Sequence, residues 1–415
     1  MKNLDLQKRC RINTNFDEDT FVGLRCDAGD IQINFPIGFS LSNDDAGLRS
    51  DILLLFSTLS AHTLRKDSQL IGISKEYDCV EFPIQAFMYV IRDYLQRGYY
   101  HEQEVQYSVA QKGKINWNRT IKTQKPYVDN NNAYYLKFIT KKNVMRENEI
   151  ITLIHEYCVY ESFSKVGWLF TKAMPQKPRI NKNEKLFRSV LKEKIMNTFN
   201  DRNKALFFNM LSIINFMGDS NANQNYKFGT YRFEYVWESM IDKVFGVNNK
   251  EMYFPKTSWN IKGNIYDNAS LEPDTIMVHN GNVYILDAKY YKYGIYPNPA
   301  FLPESTSISK QITYGEYVST EKKFRELHGQ NMNVYNAFLM PFNRTIWNGG
   351  VNDDIIKIGE GLSNWKDNNK DYQHIQGVLL DVKHLMKIIV SQNEEEITNL
   401  SKIIEGEVKK WEKAF

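Results

Sequence analysis

The chain has 415 residues, 42% hydrophobic and 25% charged, with a formal net charge of +4. These proportions exclude a disordered or collagen-like chain, and the length exceeds one average domain, so two or three cores are expected. So small a charge excess announces no nucleic-acid partner by itself, which leaves local charge to decide. The longest apolar runs, residues 52–56 and 206–217, fall far short of a membrane span of about 20 residues, and no signal-peptide core is visible. A cytoplasmic protein with no membrane partner is expected. Cys10, Cys26, Cys79 and Cys158 are widely spaced without a CxxC, which predicts reduced, structural thiols.

In chain order, residues 31–35 (IQINF) read as a strand, 51–63 as a helix and 82–96 as an amphipathic helix with Pro83 in its first turn. Residues 105–128 contain no acid and look stranded; Lys112, Lys114, Arg119, Lys122 and Lys125 alternate there with Tyr107, Trp117 and Tyr127. Basic groups offset phosphate charge and aromatic faces stack on bases, so Lys112, Lys114, Trp117, Arg119 and Lys122 are candidate DNA contacts. A solvated face is the plain alternative. Apolar residues at helical spacing predict a helix over 148–163, and residues 183–199 and 202–217 form a helical pair. Between 171 and 194 eight Lys and Arg meet two glutamates. Residues 218–227 (GDSNANQNYK) read as a linker, which places a division near 222. Residues 1–222 are then an N-terminal mixed α+β region for DNA or partner recognition, strand-rich at first and helical from about 148, and residues 223–415 a second domain.

That second domain should open with a helix over 231–246, where Phe233, Trp237, Met240 and Val244 make one stripe and Glu234 and Glu238 begin the next. Asn280-Gly281 is a strong two-residue hairpin signal between residues 275–279 and 282–286, both rich in β-formers. After it come a helix over 307–317 and strands at 334–340 and 377–382, the order of an α/β domain whose central mixed sheet is flanked by helices. The Gly-, Asn- and Asp-rich residues 347–373 read as a long surface or disordered insertion. Residues 393–415 read as a final helix, with Asn393 as cap, acids in the first turn and lysines at the end.

The chemistry concentrates in the hairpin. A two-residue turn pairs His279 with Asn282, so Val278 meets Val283, Ile276 meets Ile285, and Asp274 lies across from Asp287. Opposed carboxylates with Cβ atoms about 5 Å apart repel, so something positive belongs between them. Strand alternation puts Lys289 on the same face as Asp287 and turns Ala288 away. Charges at the end of a strand that is apolar on both faces cost several kcal/mol to bury unless paired or bound to a cation. Mg²⁺, with Mn²⁺ as a substitute, suits such a carboxylate pair, and it would polarise a phosphoryl oxygen and acidify a bound water. Asp274 and Asp287 are the candidate ligands, the Ala288 carbonyl a further oxygen, and Glu238 an extra acid from the preceding helix. Lys289 either activates water or neutralises developing charge. Gln311 and Tyr314, one turn apart on a later helix, could reach the phosphate or a metal-bound water. The plain alternative is a surface hairpin whose acids pair with Lys289 and Lys292. No HExxH or HxH is present, and no GxxxxGK[ST] loop, so any dependence on ATP or GTP would come from a second protein.

FEYVWE (233–238), YFPKTSW (253–259), EPD with ILDAKYY and SKQITY (309–314), in that order, resemble the PD-(D/E)XK nucleases, and specifically the LlaJI-type restriction endonucleases related to McrC. QKGKINWNRTI (111–121) in the N-terminal half is similar to an element of the same proteins. The resemblance implies a C-terminal PD-(D/E)XK, restriction-endonuclease-like domain. Asp274, Asp287 and Lys289 would take the family's catalytic roles, with Glu238 as helix acid. It further implies hydrolysis of double-stranded foreign DNA in a restriction system, often with a separate AAA+ GTPase or ATPase subunit of McrB type. The competing expectation is a DNA-binding or assembly subunit that keeps the nuclease fold without turnover.

Overall fold

Tyr226–Thr230 is a strand, although the composition before it suggests a linker, and its pairing rearranges the domain division. It lies between Val22–Asp27 and Asp78–Val80, antiparallel to both. This mixed five-stranded sheet is completed by Asp30–Phe35 and Cys10–Ile12. Gly229 and Gly23 are ladder partners at a crossing so tight that a Cβ at either would lie within 2.2 Å of a carbonyl oxygen on the other strand. The computed structural model describes residues 5–13, 19–69, 78–129, 132–146, 149–218, 225–345, 347, 353–389 and 392–406. The chain forms two units, one of Phe82–Asn223 and the other of Asp5–Glu81 together with Gln224–Phe415. Residues 5–81 belong with residues 224–415 rather than with the stretch that follows them. Backbone pairing across some 200 residues of sequence leaves no local signature, which is why the sequence places them elsewhere.

In the Phe82–Asn223 unit, helices Ile84–Arg97, Ile150–Val166, Glu184–Asn197 and Asp201–Met217 pack around Phe87, Phe163, Phe187 and Phe207, all essentially unexposed. The last two helices start at Asn183 and Asn200, whose side chains accept backbone N–H bonds from Leu186 and Asn203. Glu102–Ala110, Phe138–Arg146 and Lys114–Ile115 make a three-stranded sheet. The acid-free segment is not stranded throughout: Trp117–Thr123 is a short helix, because Asn116 caps it through the Arg119 amide.

The other unit carries a second mixed sheet. Its elements in chain order are α1 (Phe233–Phe245), β1 (Thr275–His279), β2 (Asn282–Ala288), α2 (Ser305–Thr320), β3 (Val334–Phe342), β4 (Ile355–Gly361), β5 (Ile375–Asp381) and α3 (Glu394–Glu405). Strand order is β1-β2-β3-β5-β4, with β2, β3 and β5 parallel and the two edge strands antiparallel to their neighbours. Val283 and Ile285 join Ile312, Tyr314 and Val318 of α2 in one core cluster. On the opposite face Tyr284 donates its hydroxyl to Glu405 of α3. β2 is thus apolar and covered on both sides, as its composition predicts.

β4 falls inside the stretch 347–373 that reads as an insertion. Its pattern is blurred by Gly359 and Gly361 and by a bulge between Lys357 and Gly359, which suits an edge strand. Lys409, Lys410 and Lys413, expected at the end of the last helix, lie outside the described residues. Cys10, Cys26 and Cys158 are buried thiols. No helix among the described residues is long and apolar enough to cross a membrane.

Candidate active site

The β1–β2 hairpin has the register its turn predicts. Asn280 and Gly281 both take positive φ, 49° and 78°, and His279 pairs with Asn282, Val278 with Val283 and Ile276 with Ile285. The ladder ends at Thr275 and Leu286, so Asp274 and Asp287 are the next opposed positions. One oxygen of Asp274, Oδ2, accepts the Ala288 amide at 2.9 Å. Lys289 Nζ contacts both oxygens of Asp287, at 3.1 and 2.8 Å. Asp287 itself is only 9% exposed. Ala288 therefore meets Asp274 through its N–H, a contact that fixes the carboxylate's orientation.

Three neighbouring elements hold this end of the hairpin. The Lys250 ammonium donates to the backbone carbonyl of Asp274 at 2.5 Å and to Asp242 Oδ1 on α1 at 2.8 Å. Trp237 of α1, fully buried, donates its indole N–H to the carbonyl of Leu339, and that same carbonyl accepts the Lys289 amide. Beyond Lys289, the Tyr290 hydroxyl accepts from the Ile37 amide, in the N-terminal segment that completes this unit.

The electrostatics show an excess of negative charge. Burial, the adjoining Asp287 and then Glu238 together raise the Asp274 carboxyl well above the ordinary carboxylate range, against the opposing pull of the Ala288 amide. Glu238 is raised as well, by burial first and then by Asp287. Burial works to lower the Lys289 ammonium, but Asp287 and then Asp274 outweigh it and raise its pKa. Glu238 thus shares the acids' field from α1, whereas Glu234, one turn earlier, is bonded to Arg232. Among the described residues no three His, Cys, Asp or Glu side chains come together as ligands. The carboxylates that could hold a metal here are those of Asp274 and Asp287, with Glu238 within their electrostatic field from α1. Hard oxygen donors, uncompensated charge and burial fit a divalent cation of the Mg²⁺ type, which uses one or two carboxylates and retains waters.

From the other side α2 presents Lys310 and Tyr314. Strand alternation puts Asp287 on the face of Ile285, the face α2 covers. Lys310 Nζ is 5.6 Å from the centre of the Tyr314 ring. Burial lowers the Lys310 pKa, but Tyr314 and the charges of Asp287 and Asp274 raise it overall. Gln311 is 1% exposed; its backbone carbonyl accepts from Asn336, and its side-chain oxygen has no partner. The sequence reading gives no role to Lys250, or to Lys310 within the SKQITY motif. Lys310 stands next to Gln311 and one turn before Tyr314, so helical spacing could have found it; Lys250, 24 residues from Asp274, carries no local signal.

Lys112, Lys114, Trp117, Arg119 and Lys122 are all exposed in the Phe82–Asn223 unit. The Arg119 guanidinium lies 3.7 Å over the Tyr107 ring, and Trp117 packs edge-on against Phe138. The structure brings these five together on one small module of sheet and helix.

Comparison with known proteins gives three similarities. A solved structure, the refined half-complex from the tetradecameric assembly of Thermococcus gammatolerans McrB AAA+ hexamers with bound McrC, aligns with 92% of this chain and 83% of its own at a TM-score of 0.38 and 16% identity. The Type II restriction enzyme BsuMI component YdjA of Bacillus subtilis (strain 168) is 28% identical over a 272-residue alignment that covers 59% of this chain. The match spans about half, 55%, of that relative's length. A profile of the LlaJI restriction endonuclease family matches residues 21–360, a stretch that runs through both units and contains every acid and lysine of the hairpin site, and the chain accordingly belongs to the LlaJI restriction endonuclease family.

Proposed function

We propose that the protein is a divalent-metal-dependent DNA endonuclease of a restriction system, with a PD-(D/E)XK centre at Asp274, Asp287 and Lys289. The observation that carries the reading is the opposition of half-buried Asp274 and buried Asp287 at the rung just past the end of the hairpin ladder, with one amine two residues on and Glu238 within their electrostatic field. A Mg²⁺ or Mn²⁺ ion held by Asp274 and Asp287 would supply polarisation of the phosphoryl oxygen and a more acidic water. The residues of the chain divide the remaining work. Lys250 and the Ala288 amide hold Asp274 in place, one through its backbone and one through its carboxylate. Lys289, kept protonated by Asp287, is suited to stabilise negative charge developing on the phosphate rather than to abstract a proton. Glu238 adds charge from α1 that favours the cation, and Lys310 extends a positive surface toward the scissile phosphate, with Gln311 and Tyr314 beside it. The exposed Lys112, Lys114, Trp117, Arg119 and Lys122 contact double-stranded DNA through phosphate charge and aromatic stacking. Any nucleotide hydrolysis comes from an AAA+ partner of McrB type, consistent with the absence of a P-loop from this sequence.

Supercoiled plasmid incubated with the purified protein should be nicked or linearised with Mg²⁺ and left intact with EDTA. Asp287→Ala should lose at least about 100-fold in rate, since a ligand to the ion and the partner of Lys289 vanish together. Equal cleavage by the Asp287→Ala protein would overturn the assignment.

A further inference from the structure

Between Tyr253 and Asp274 the chain builds a second hairpin that belongs to neither large sheet. Ser258–Ile261 pairs with Asn264–Asp267 in a regular antiparallel ladder, closed by Lys262 and Gly263 at φ 52° and 89°. All eight ladder residues are exposed, among them Trp259 at 64%, Ile261 at 51%, Ile265 at 71% and Tyr266 at 54%. Isolated hairpins are marginal in water, so one that spends its aromatic residues on solvent is shaped by what it meets.

Its attachment points to the occupant. The Asn268 amide donates to the Thr257 carbonyl and the Leu271 amide to the Pro255 carbonyl, which zips the stem closed to within three residues of Asp274. Tyr253, just before the stem, is buried in the core beneath β1 and β2. The ribbon therefore springs from the same end of the sheet as the carboxylates, its stem closed by these two backbone bonds. Trp259 and Tyr266 are direct cross-strand partners on one face. Lys256 lies at the base and Lys262 at the tip, against the one acid Asp267, while Asn264 supplies a side-chain amide on the face of Trp259 and Tyr266; the Asn260 side-chain oxygen accepts the Gly263 amide within the turn.

We infer that this ribbon is the groove-reading element of the nuclease, inserted into the major groove of duplex DNA beside the scissile phosphate. The inference rests on the proposed reading of the site and deepens it by naming a specificity element. The major groove, about 12 Å wide, admits a two-stranded β-ribbon, and four residues a strand reach roughly 14 Å. Lysines at base and tip match phosphates on either side. The Asn264 amide suits an adenine edge, and apolar and aromatic groups meet thymine methyls and deoxyribose.

The test is anisotropy of fluorescently labelled duplex DNA with the full chain in Ca²⁺, which reports binding independently of turnover. A Trp259→Ala/Tyr266→Ala double variant should weaken Kd by about tenfold or more, the scale of one lost aromatic contact, and Trp259→Phe should retain most affinity. Circular dichroism melts should be unchanged, since both side chains face solvent. An unchanged Kd, no binding by the wild-type chain, or loss of self-association in sedimentation with DNA affinity retained would each overturn the inference, the last by assigning the ribbon to a second copy. The nuclease reading fails separately, through equal plasmid cleavage by Asp287→Ala.

Discussion

Asp274 combines two constraints that a single carboxylate rarely carries together. Its Oδ2 is engaged by the Ala288 amide, which favours the ionised form, yet burial and two neighbouring acids favour the protonated one and prevail. Without metal, the native state then retains a proton that the unfolded chain releases near the ordinary value of 3.8. Stability should fall as pH rises from there through the raised native value, because the native state binds more protons over that window, and the penalty should stay constant above it. In EDTA, the wild-type protein should melt at a higher temperature at about pH 5 than at about pH 9, and Mg²⁺ should stabilise more at the higher pH. Asp274→Asn, which preserves shape and removes charge, should flatten that slope in thermal scans, bind Mg²⁺ more weakly and lose most cleavage. An unaltered slope would show that this carboxyl is not the titrating group. At this scale the sequence is legible where periodicity acts. The turn at Asn280-Gly281 and strand alternation locate Asp274, Asp287 and Lys289, and the helical stripe locates Glu238. Lys250 escapes because its contact with the Asp274 carbonyl depends on how a loop folds back, which no period records.

Elements set how closely the flanking groups approach. Gly315 lets α2 settle onto the sheet where Asn336 bonds the carbonyls of Gln311 and Tyr372; a Cβ there would meet Asn336 Nδ2 at 2.7 Å and Tyr372 Cβ at 2.6 Å. Gly315→Ala should push α2 outward and cost about 1–3 kcal/mol in denaturant unfolding. It should also reduce cleavage, since Lys310 and Tyr314 ride on that helix. Wild-type stability in this variant would show that α2 has room to spare. The helices and the hairpin are readable because each has its own period and stop signals. β4 is not, because as a bulged edge strand with glycines at 359 and 361 it owes its conformation to pairing with β5 rather than to its own residues.

For the whole molecule, the assembly of one unit from residues 5–81 together with residues 224–415 is the main departure from what the sequence suggests. Tyr226–Thr230 lies between strands from the first 80 residues, and Phe228 pairs with Val80, so the two ends of the intervening unit leave from adjacent rungs of one ladder. Replacing residues 82–223 by a short glycine-rich turn should therefore leave a folded remainder with near-native melting, measured by circular dichroism, whereas a fragment starting at 223 should not fold. A stable 223–415 fragment would contradict this architecture. Local signals cannot reveal such an arrangement, because its defining contacts join residues about 200 positions apart.

The interrupted sheet also sets the timing of synthesis. A nascent chain leaving the ribosome carries Val22–Asp27 and Asp78–Val80 long before the strand that lies between them exists, and the hairpin with its acids emerges later still. Until residues 226–230 are made, Val22–Asp27 and Asp78–Val80 have no strand between them, so this sheet closes only after the intervening unit has been synthesised.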